Sequence, residues 1–304
     1  MDRLFDLVVI GAGPAGLSAV IYACRAGLSV ALIEKNAPGG KLLKTNKVEN
    51  YPGYEEISGY ELATNMYKHA KRYNYEYFYG DVIKVDENNG VVTIKTSNQE
   101  IKAKTTIIAT GLEENKLNVK HEEKFYGKGI SYCAVCDGYF FKDKSVAVIG
   151  GGNSALDESI YLSKIVDKIY LILRRDIFRG DQALVDIIRN SDNVEIIFNS
   201  TVKELIGEDT LEGIKIIDKQ GNEQVLKIDG LFPYIGYAPN TKFAKELGIL
   251  DKQGYIITDN NMRTKSKNIF AVGDVRSKKL RQIITASNDG AIAAIEVENY
   301  LNKK

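Results

Sequence analysis

The sequence predicts an α/β protein built from two Rossmann-like units, and three observations point there. Two glycine-rich fingerprints each stand between a short apolar run and a helical stretch. Both fingerprints head β-α-β segments of nearly equal length. A Cys-x-x-Cys pair lies between the two. Either kind of motif alone is ambiguous, but a dithiol bracketed by two dinucleotide sites describes an electron path from one nucleotide, through another, to a disulfide.

In the first unit, Leu7 to Ile10 is an apolar run of the kind that forms a buried parallel strand. Gly11-Ala12-Gly13-Pro14-Ala15-Gly16 follows at once, then a helical stretch from Leu17 to Ala26 and a second strand from Val30 to Ile33, ending at Glu34 and Lys35. Each part has a job. The first glycine makes the tight turn, the second lets backbone amides approach a pyrophosphate, and the third allows close packing of helix on strand. The helix N-terminus favours the phosphate charge. Glu34 follows Gly11 by 23 residues, where a carboxylate accepts hydrogen bonds from a ribose and repels a 2′-phosphate. This site suits FAD or NAD better than NADP.

The pattern recurs in the second unit. A strand from Ser145 to Ile149 leads into Gly150-Gly151-Gly152-Asn153-Ser154-Ala155, a helix from Leu156 to Lys164 and a strand from Ile169 to Leu173. Arg174 follows Gly150 by 24 residues, so the copies are in register as an internal duplication would be. Here the acid gives way to Leu173-Arg174-Arg175, with Arg179 beyond. Exchanging a carboxylate for guanidinium groups exchanges ribose recognition for 2′-phosphate recognition, which points to NADPH.

Composition narrows the remaining classes. At 304 residues the chain has room for two domains of ordinary size. A net charge of +1 leaves no broad electrostatic footprint for nucleic acid or an anionic membrane. No apolar run approaches the roughly 20 residues that span a bilayer. Met1 to Asp6 carries neither a basic n-region nor a small-residue cleavage site, so a cytoplasmic location is expected. In that reducing compartment a Cys-x-x-Cys is catalytic or metal-binding rather than a structural disulfide. The cysteines are Cys24, Cys133 and Cys136. A structural zinc site usually needs four ligands, so no metal site is expected. Cys24, within an apolar helix, is expected to pack as a small buried hydrophobe.

These residues closely resemble the low-molecular-weight, bacterial-type thioredoxin reductases, the class II pyridine nucleotide-disulfide oxidoreductases, over nearly the whole chain. Besides the fingerprints, the matching segments are Glu49-Asn50-Tyr51-Pro52-Gly53, Ala109-Thr110-Gly111, Cys133-Ala134-Val135-Cys136-Asp137-Gly138, Ile235 to Thr241, Thr264 through Gly273-Asp274, and Arg281-Gln282. The resemblance implies two nested Rossmann-like domains of the three-layer FAD/NAD(P)-binding kind. The FAD domain is expected at 1–112 and 245–304, and the NADPH domain with the Cys-x-x-Cys at 113–244. It implies a homodimer acting on thioredoxin or a thioredoxin-like protein, with an inserted domain that rotates on its two connecting strands. The implied FAD contacts are Gly11, Gly13, Pro14, Ala15, Gly16, Glu34, Lys35, Gly40, Lys41, Asn50, Ala109, Thr110, Gly111, Gly273, Asp274, Arg281 and Gln282. For NADPH they are Gly150, Gly152, Asn153, Ser154, Ala155, Arg174, Arg175 and Arg179. Cys136 is expected to take electrons from the flavin, Cys133 to attack the partner disulfide, and Asp137 to protonate the leaving thiolate.

Three departures bear on that expectation. The family motif at the second strand end usually begins with His, where this chain has Leu173; Gly180 stands where the family usually has Ala; and Lys41 follows Gly39-Gly40 where Gln is common. Lys41 could support the cofactor or face solvent. The lost histidine keeps a second reading open, a flavin thioredoxin reductase fed by reduced ferredoxin or another donor. A non-catalytic flavoprotein redox sensor is the rival from another class, and the intact Cys-x-x-Cys-Asp speaks against it.

Overall fold

The computed structural model describes residues 3–45 and 47–302. The chain enters as β1 (Leu4–Ile10) and turns through Gly11 into α1 (Pro14–Arg25). β2 (Val30–Glu34) runs parallel beside β1, with Leu7 opposite Val30 and Ile10 opposite Ile33. α2 (Gly59–Ala70) begins at Ser58, whose hydroxyl accepts the Glu61 amide at 3.1 Å as an N-cap. β3 (Glu76–Tyr79) adds to the β2 side of the sheet. β4 (Val82–Asn88), β5 (Val91–Thr96) and β6 (Glu100–Ile108) follow as antiparallel neighbours, and β6 lies parallel to β1 on its other side. β7 (Leu112–Glu114) then carries the chain out of this unit.

The inserted unit opens with a 3-10 turn at Glu122–Phe125 and then a short helical turn, α3 (Ala134–Asp137). After it come β8 (Ser145–Ile149), α4 (Asn153–Leu162), β9 (Lys168–Ile172), α5 (Gln182–Arg189) and β10 (Val194–Ile197). An antiparallel sheet of β11 (Ser200–Ile206), β12 (Gly213–Asp218) and β13 (Glu223–Lys227) comes next. β14 (Gly230–Pro233) completes a parallel sheet in the order β10-β9-β8-β14. The chain returns through β15 (Tyr237–Pro239), which pairs with β7. β16 (Ile269–Ala271) lies parallel to β6, and α6 (Ile283–Asn302) ends the first unit.

Alternation along the central strands makes the layers. Leu7 and Val9 of β1 join α1 and α6 residues such as Ala19, Ala293 and Val297 in one core, while Val8 and Ile10 join Val85, Val92 and Ile94 in the other. Successive side chains of a strand point to opposite faces, so a strand apolar at every position must be covered on both. The inserted unit repeats the arrangement. Val146 and Val148 face the helices with Leu156 and Ile188, and Ala147 and Ile149 face Ile214, Ile216 and Leu226 of the antiparallel sheet. Both units are three-layer α/β folds.

The compact units divide between Glu113 and Glu114 and between Tyr237 and Ala238. The return therefore comes earlier than position 245. Phe243 and Ala244 are buried in the first unit's core with Ile249 and Ile256, so residues 238–244 belong there. Cys24 also differs from expectation. It is half-buried rather than enclosed, and desolvation pushes its thiol up to about 11, leaving it unreactive at neutral pH. No helix among the described residues is long and apolar enough to cross a membrane.

Of the second unit's carboxyl groups, Glu122 is buried and hydrogen-bonded, whereas Glu158 is half-buried. Glu158 of α4 has its Oε2 enclosed with no hydrogen-bond partner among the described residues. Desolvation, and then the neighbouring Asp157 charge, raise its carboxyl from 4.5 to about 7. The folded protein thus holds a proton that the unfolded chain releases between those values. Stability from this group is full at low pH and is lost as pH rises through 7. Replacing Glu158→Gln is expected to leave the melting temperature unchanged near pH 5 and to raise stability by about 2 kcal/mol at pH 8. Thermal melts of both proteins across that range check it.

Candidate redox site

In the first unit, Gly11 adopts φ +104°, and a Cβ at Gly16 would lie 1.9 Å from the Gly11 carbonyl oxygen. Only glycine lets the helix start this close to the strand. Pro14 opens α1 at its first turn and Gly13 is the N-cap, with open space where its side chain would be. A further glycine, Gly40, lies against Gly13, a Cβ there being 3.3 Å from the Gly13 Cα. At the end of β2, the Glu34 carboxylate accepts the amides of Ala12 (2.8 Å), Lys35 (2.8 Å) and Asn36 (2.9 Å). These bonds fix the carboxylate beside the glycine turn and leave one lone pair, on Oε2, for a ribose.

Residues far apart in sequence close around this turn. Ala109 lies against it, since a Cβ at Gly11 would meet the Ala109 carbonyl oxygen at 2.5 Å. Thr110 donates its hydroxyl to the Asn240 carbonyl at 2.7 Å, and Gly111 takes a left-handed turn at φ +62°. The Asn50 amide donates to Gln282 Oε1 at 3.2 Å. Arg281 donates to the carbonyl of Asp274 at 3.2 Å and lies 4.4 Å over the Tyr255 ring. Lys41 Nζ stands 4.0 Å from Asp274 Oδ2, so Lys41 faces the Asp274 carboxylate. The open cradle over Gly13, with the fixed carboxylate at one end, fits a dinucleotide such as FAD.

Sequence reasoning missed what holds the Gly273 turn. Asp289 of α6 is buried, and its Oδ2 accepts the Gly273 amide at 3.0 Å, Arg276 at 2.9 Å and Lys278 at 2.8 Å. The next residue, Gly290, brings α6 onto α1, a Cβ there being 2.1 Å from the Ala15 carbonyl oxygen. An Asp-Gly pair inside an alanine-rich helical stretch was the signal available.

The second fingerprint has the same build with different chemistry. Gly150 turns at φ +143°, Gly152 caps α4 beside open space, and Ala155 packs beneath. Asn153 is tied to the following loop, its Oδ1 accepting the Asp181 amide at 2.7 Å and its Nδ2 donating to the Asp181 carboxylate at 2.9 Å. Ser154 is exposed. The amides of Arg179 and Gly180 donate to the Gly151 carbonyl at 2.7 and 3.1 Å, which docks the arginine loop on the glycine turn. Arg174, Arg175 and Arg179 are all exposed, and none makes an ion pair among the described residues. Unspent guanidiniums at the edge of a glycine turn fit the 2′-phosphate of NADPH.

Two departures noted in the sequence become packing. Leu173 is 2% exposed, and a Cβ at Gly151 would meet its Cδ2 at 2.6 Å. A Cβ at Gly180 would meet Leu156 at 2.5 Å and Asn153 Oδ1 at 2.7 Å. Leu173 is therefore a core residue, and Gly180 leaves room for the asparagine that holds the loop.

In the same unit, Cys133 and Cys136 form a disulfide at the start of α3. Cys133 is the N-cap, and its sulfur accepts the Cys136 amide at 3.1 Å. It is 5% exposed, whereas Cys136 is exposed. The Tyr234 hydroxyl accepts the Ala134 amide at 3.0 Å, and burial pushes that phenol upward, so it stays neutral. Asp137 closes the turn, its amide donating to the Cys133 carbonyl at 3.1 Å. A hydrogen bond to Cys133 sulfur favours thiolate over thiol, which suits a nucleophile. Among the described residues no cluster of His, Cys, Asp and Glu is placed to hold a metal ion.

The family model for pyridine nucleotide-disulphide oxidoreductases matches residues 5–290. The thioredoxin reductase of Mycoplasma genitalium is 47% identical, across 97% of this chain and 95% of its own length. The crystal structure of Lactococcus lactis thioredoxin reductase, in its FR conformation, matches with a TM-score of 0.91 at 38% identity, over 99% of this chain and all of that one. A ferredoxin-flavin thioredoxin reductase from Clostridium acetobutylicum is more distant, at 28% identity and a TM-score of 0.56 over the whole of both chains. Glycine turns, dithiol and likeness agree: this chain belongs to the pyridine nucleotide-disulphide oxidoreductases and, among them, to the thioredoxin reductases.

Proposed function

We propose that this protein is an NADPH-dependent thioredoxin-disulfide reductase in which the first unit holds FAD and the inserted unit holds NADPH and the dithiol. One observation carries the reading. Two glycine turns of the same build end in opposite charges, a fixed carboxylate at Glu34 and three exposed guanidiniums at Arg174, Arg175 and Arg179 with no ion pair among the described residues, and the second shares its unit with Cys133 and Cys136. When bound, FAD and NADPH supply two-electron transfer from the nicotinamide to the disulfide, which with one proton from solvent becomes two thiols.

The chain's own residues then handle thiols and protons. Cys133 gives its proton to the Asp137 carboxylate and, stabilised as a thiolate by the Cys136 amide, attacks the partner disulfide and forms a mixed disulfide as the partner's S–S bond breaks. Asp137 gives its proton to the departing thiolate. The resulting carboxylate takes the Cys136 proton, and Cys136 attacks Cys133 sulfur. The internal disulfide re-forms and the second partner thiolate leaves, protonated in turn by Asp137. Thioredoxin or a thioredoxin-like protein is the partner, and the family resemblance supports a homodimer working in the cytoplasm. Leu173 does not argue for ferredoxin as donor, because packing against Gly151 accounts for it.

Truncating Arg174 and Arg175 to Ala together is expected to raise the KM for NADPH about 10- to 100-fold, the range for losing charge-assisted bonds to a phosphate. The KM for NADH should stay within about twofold. Steady-state assays with both nucleotides check it, and equal losses for the two would remove the arginines from 2′-phosphate recognition. Failure of NADPH to bleach the flavin, in a protein that reduced ferredoxin does bleach, would favour the other donor.

The division of labour in the dithiol has its own test. Cys136→Ser should accumulate a stable mixed disulfide with thioredoxin through Cys133, whereas Cys133→Ser should not. Non-reducing electrophoresis and mass spectrometry of the trapped species read this out, and the reverse pattern would exchange the two roles.

A further inference from the structure

The Asp137 carboxylate is not left to orient itself. Ser131, two residues before Cys133, is buried, and its hydroxyl donates to Asp137 Oδ2 at 2.6 Å. The same Ser131 oxygen accepts the Cys133 amide at 3.1 Å. Ser131 is in turn held by backbone, its amide donating to the Leu231 carbonyl of β14 at 3.1 Å. A hydroxyl has one proton to donate and two lone pairs to accept with. Here the proton goes to the nearer acceptor, the carboxylate oxygen at 2.6 Å, with the Cys133 carbonyl a longer second acceptor at 3.3 Å, and a lone pair goes to the nucleophile's own amide.

We propose that Ser131 is a positioning residue for thiol–disulfide exchange, locking Asp137 to the Cys133 backbone so that one carboxylate oxygen is fixed and the other is left to carry the proton. The proposal rests on the acid–base role given to Asp137 above. The sequence of events is: Cys133 proton taken by Asp137, partner S–S bond broken, first partner thiolate protonated from Asp137, Cys136 proton returned to Asp137, second partner thiolate protonated. In each transfer Oδ2 is occupied by the Ser131 donor, so the proton moves through Oδ1. Because Ser131 also holds the Cys133 amide, the distance between acid and nucleophile is set by one side chain instead of by two independently mobile ones. Precise placement of reacting groups is worth orders of magnitude in rate, and a carboxylate free to rotate forfeits part of it.

Ser131 touches neither glycine turn's hydrogen-bond set, so the two halves of the catalytic cycle should separate. Ser131→Ala in the full-length, flavin-loaded enzyme is expected to lower thioredoxin turnover about 10-fold, the cost of one charge-assisted hydrogen bond. Flavin bleaching by NADPH in a rapid-mixing experiment should stay within about twofold of the parent. Ser131→Thr, which keeps the hydroxyl, should recover most of the loss. The decisive comparison is the double variant: if Ser131 acts through Asp137, Ser131→Ala added to Asp137→Asn should cost nothing beyond Asp137→Asn alone. Losses that multiply in the double variant would overturn the proposal, as would full turnover by Ser131→Ala in a background where Asp137→Asn is impaired. Full turnover by Asp137→Asn itself would remove the acid and Ser131's task together, an outcome the single variant identifies by itself.

Discussion

Backbone meets backbone where each central strand turns into its helix, and both sites depend on that contact. A methyl group at Gly16 would overlap the Gly11 carbonyl, and one at Gly150 would lie 2.5 Å from the carbonyl of Tyr234. Such approaches bring a helix N-terminus and its free amides to the surface at the end of a buried strand. The rest of each unit serves to hold that arrangement. Strands apolar on both faces need a layer on each side, and the cores around β1 and β8 supply two apiece.

With the two turns so alike in backbone, chemistry is set by what stands at the neighbouring strand end. At β2 the Glu34 carboxylate is tied down by three amides. At β9 the corresponding place is a buried leucine followed by exposed arginines, and the loop bearing them is docked on the Gly151 carbonyl. On the proposed function, selection between an adenine ribose and its 2′-phosphate comes from charge and not from fold. The dithiol belongs to the unit that carries the arginines, and its reactivity is prepared by local hydrogen bonds: an amide on the Cys133 sulfur and a serine on the neighbouring carboxylate.

Much of this was legible in the sequence because glycine turns, strand-end charges and Cys-x-x-Cys spacing are local. The strand of the second fingerprint, Ser145 to Ile149, has the same bounds in the structure. Helix starts were less legible. Both helices begin inside their fingerprints, at Pro14 and Asn153, because the glycine turn itself supplies the N-cap. The chain's return to the first unit was placed late because Phe243 and Ala244 look like any apolar pair until the core they enter is known. Non-local partners could not be read at all. Asp289 reaches Gly273 across 16 residues, and Tyr234 reaches Ala134 across 100. Ser131 was equally silent, since a serine near a cysteine carries no pattern until the Asp137 carboxylate is seen against it.

The most direct test is an anaerobic titration of the flavin-loaded protein with NADPH, counting electron pairs by flavin absorbance and free thiols by a chromogenic disulfide. Two pairs per chain, one appearing on the flavin and one as two thiols, are predicted for the native protein. The Cys133→Ser, Cys136→Ser double variant should take up one pair, all of it on the flavin. Uptake of one pair by the native protein, with its disulfide left oxidised, would contradict an electron path from NADPH through the flavin to Cys133 and Cys136.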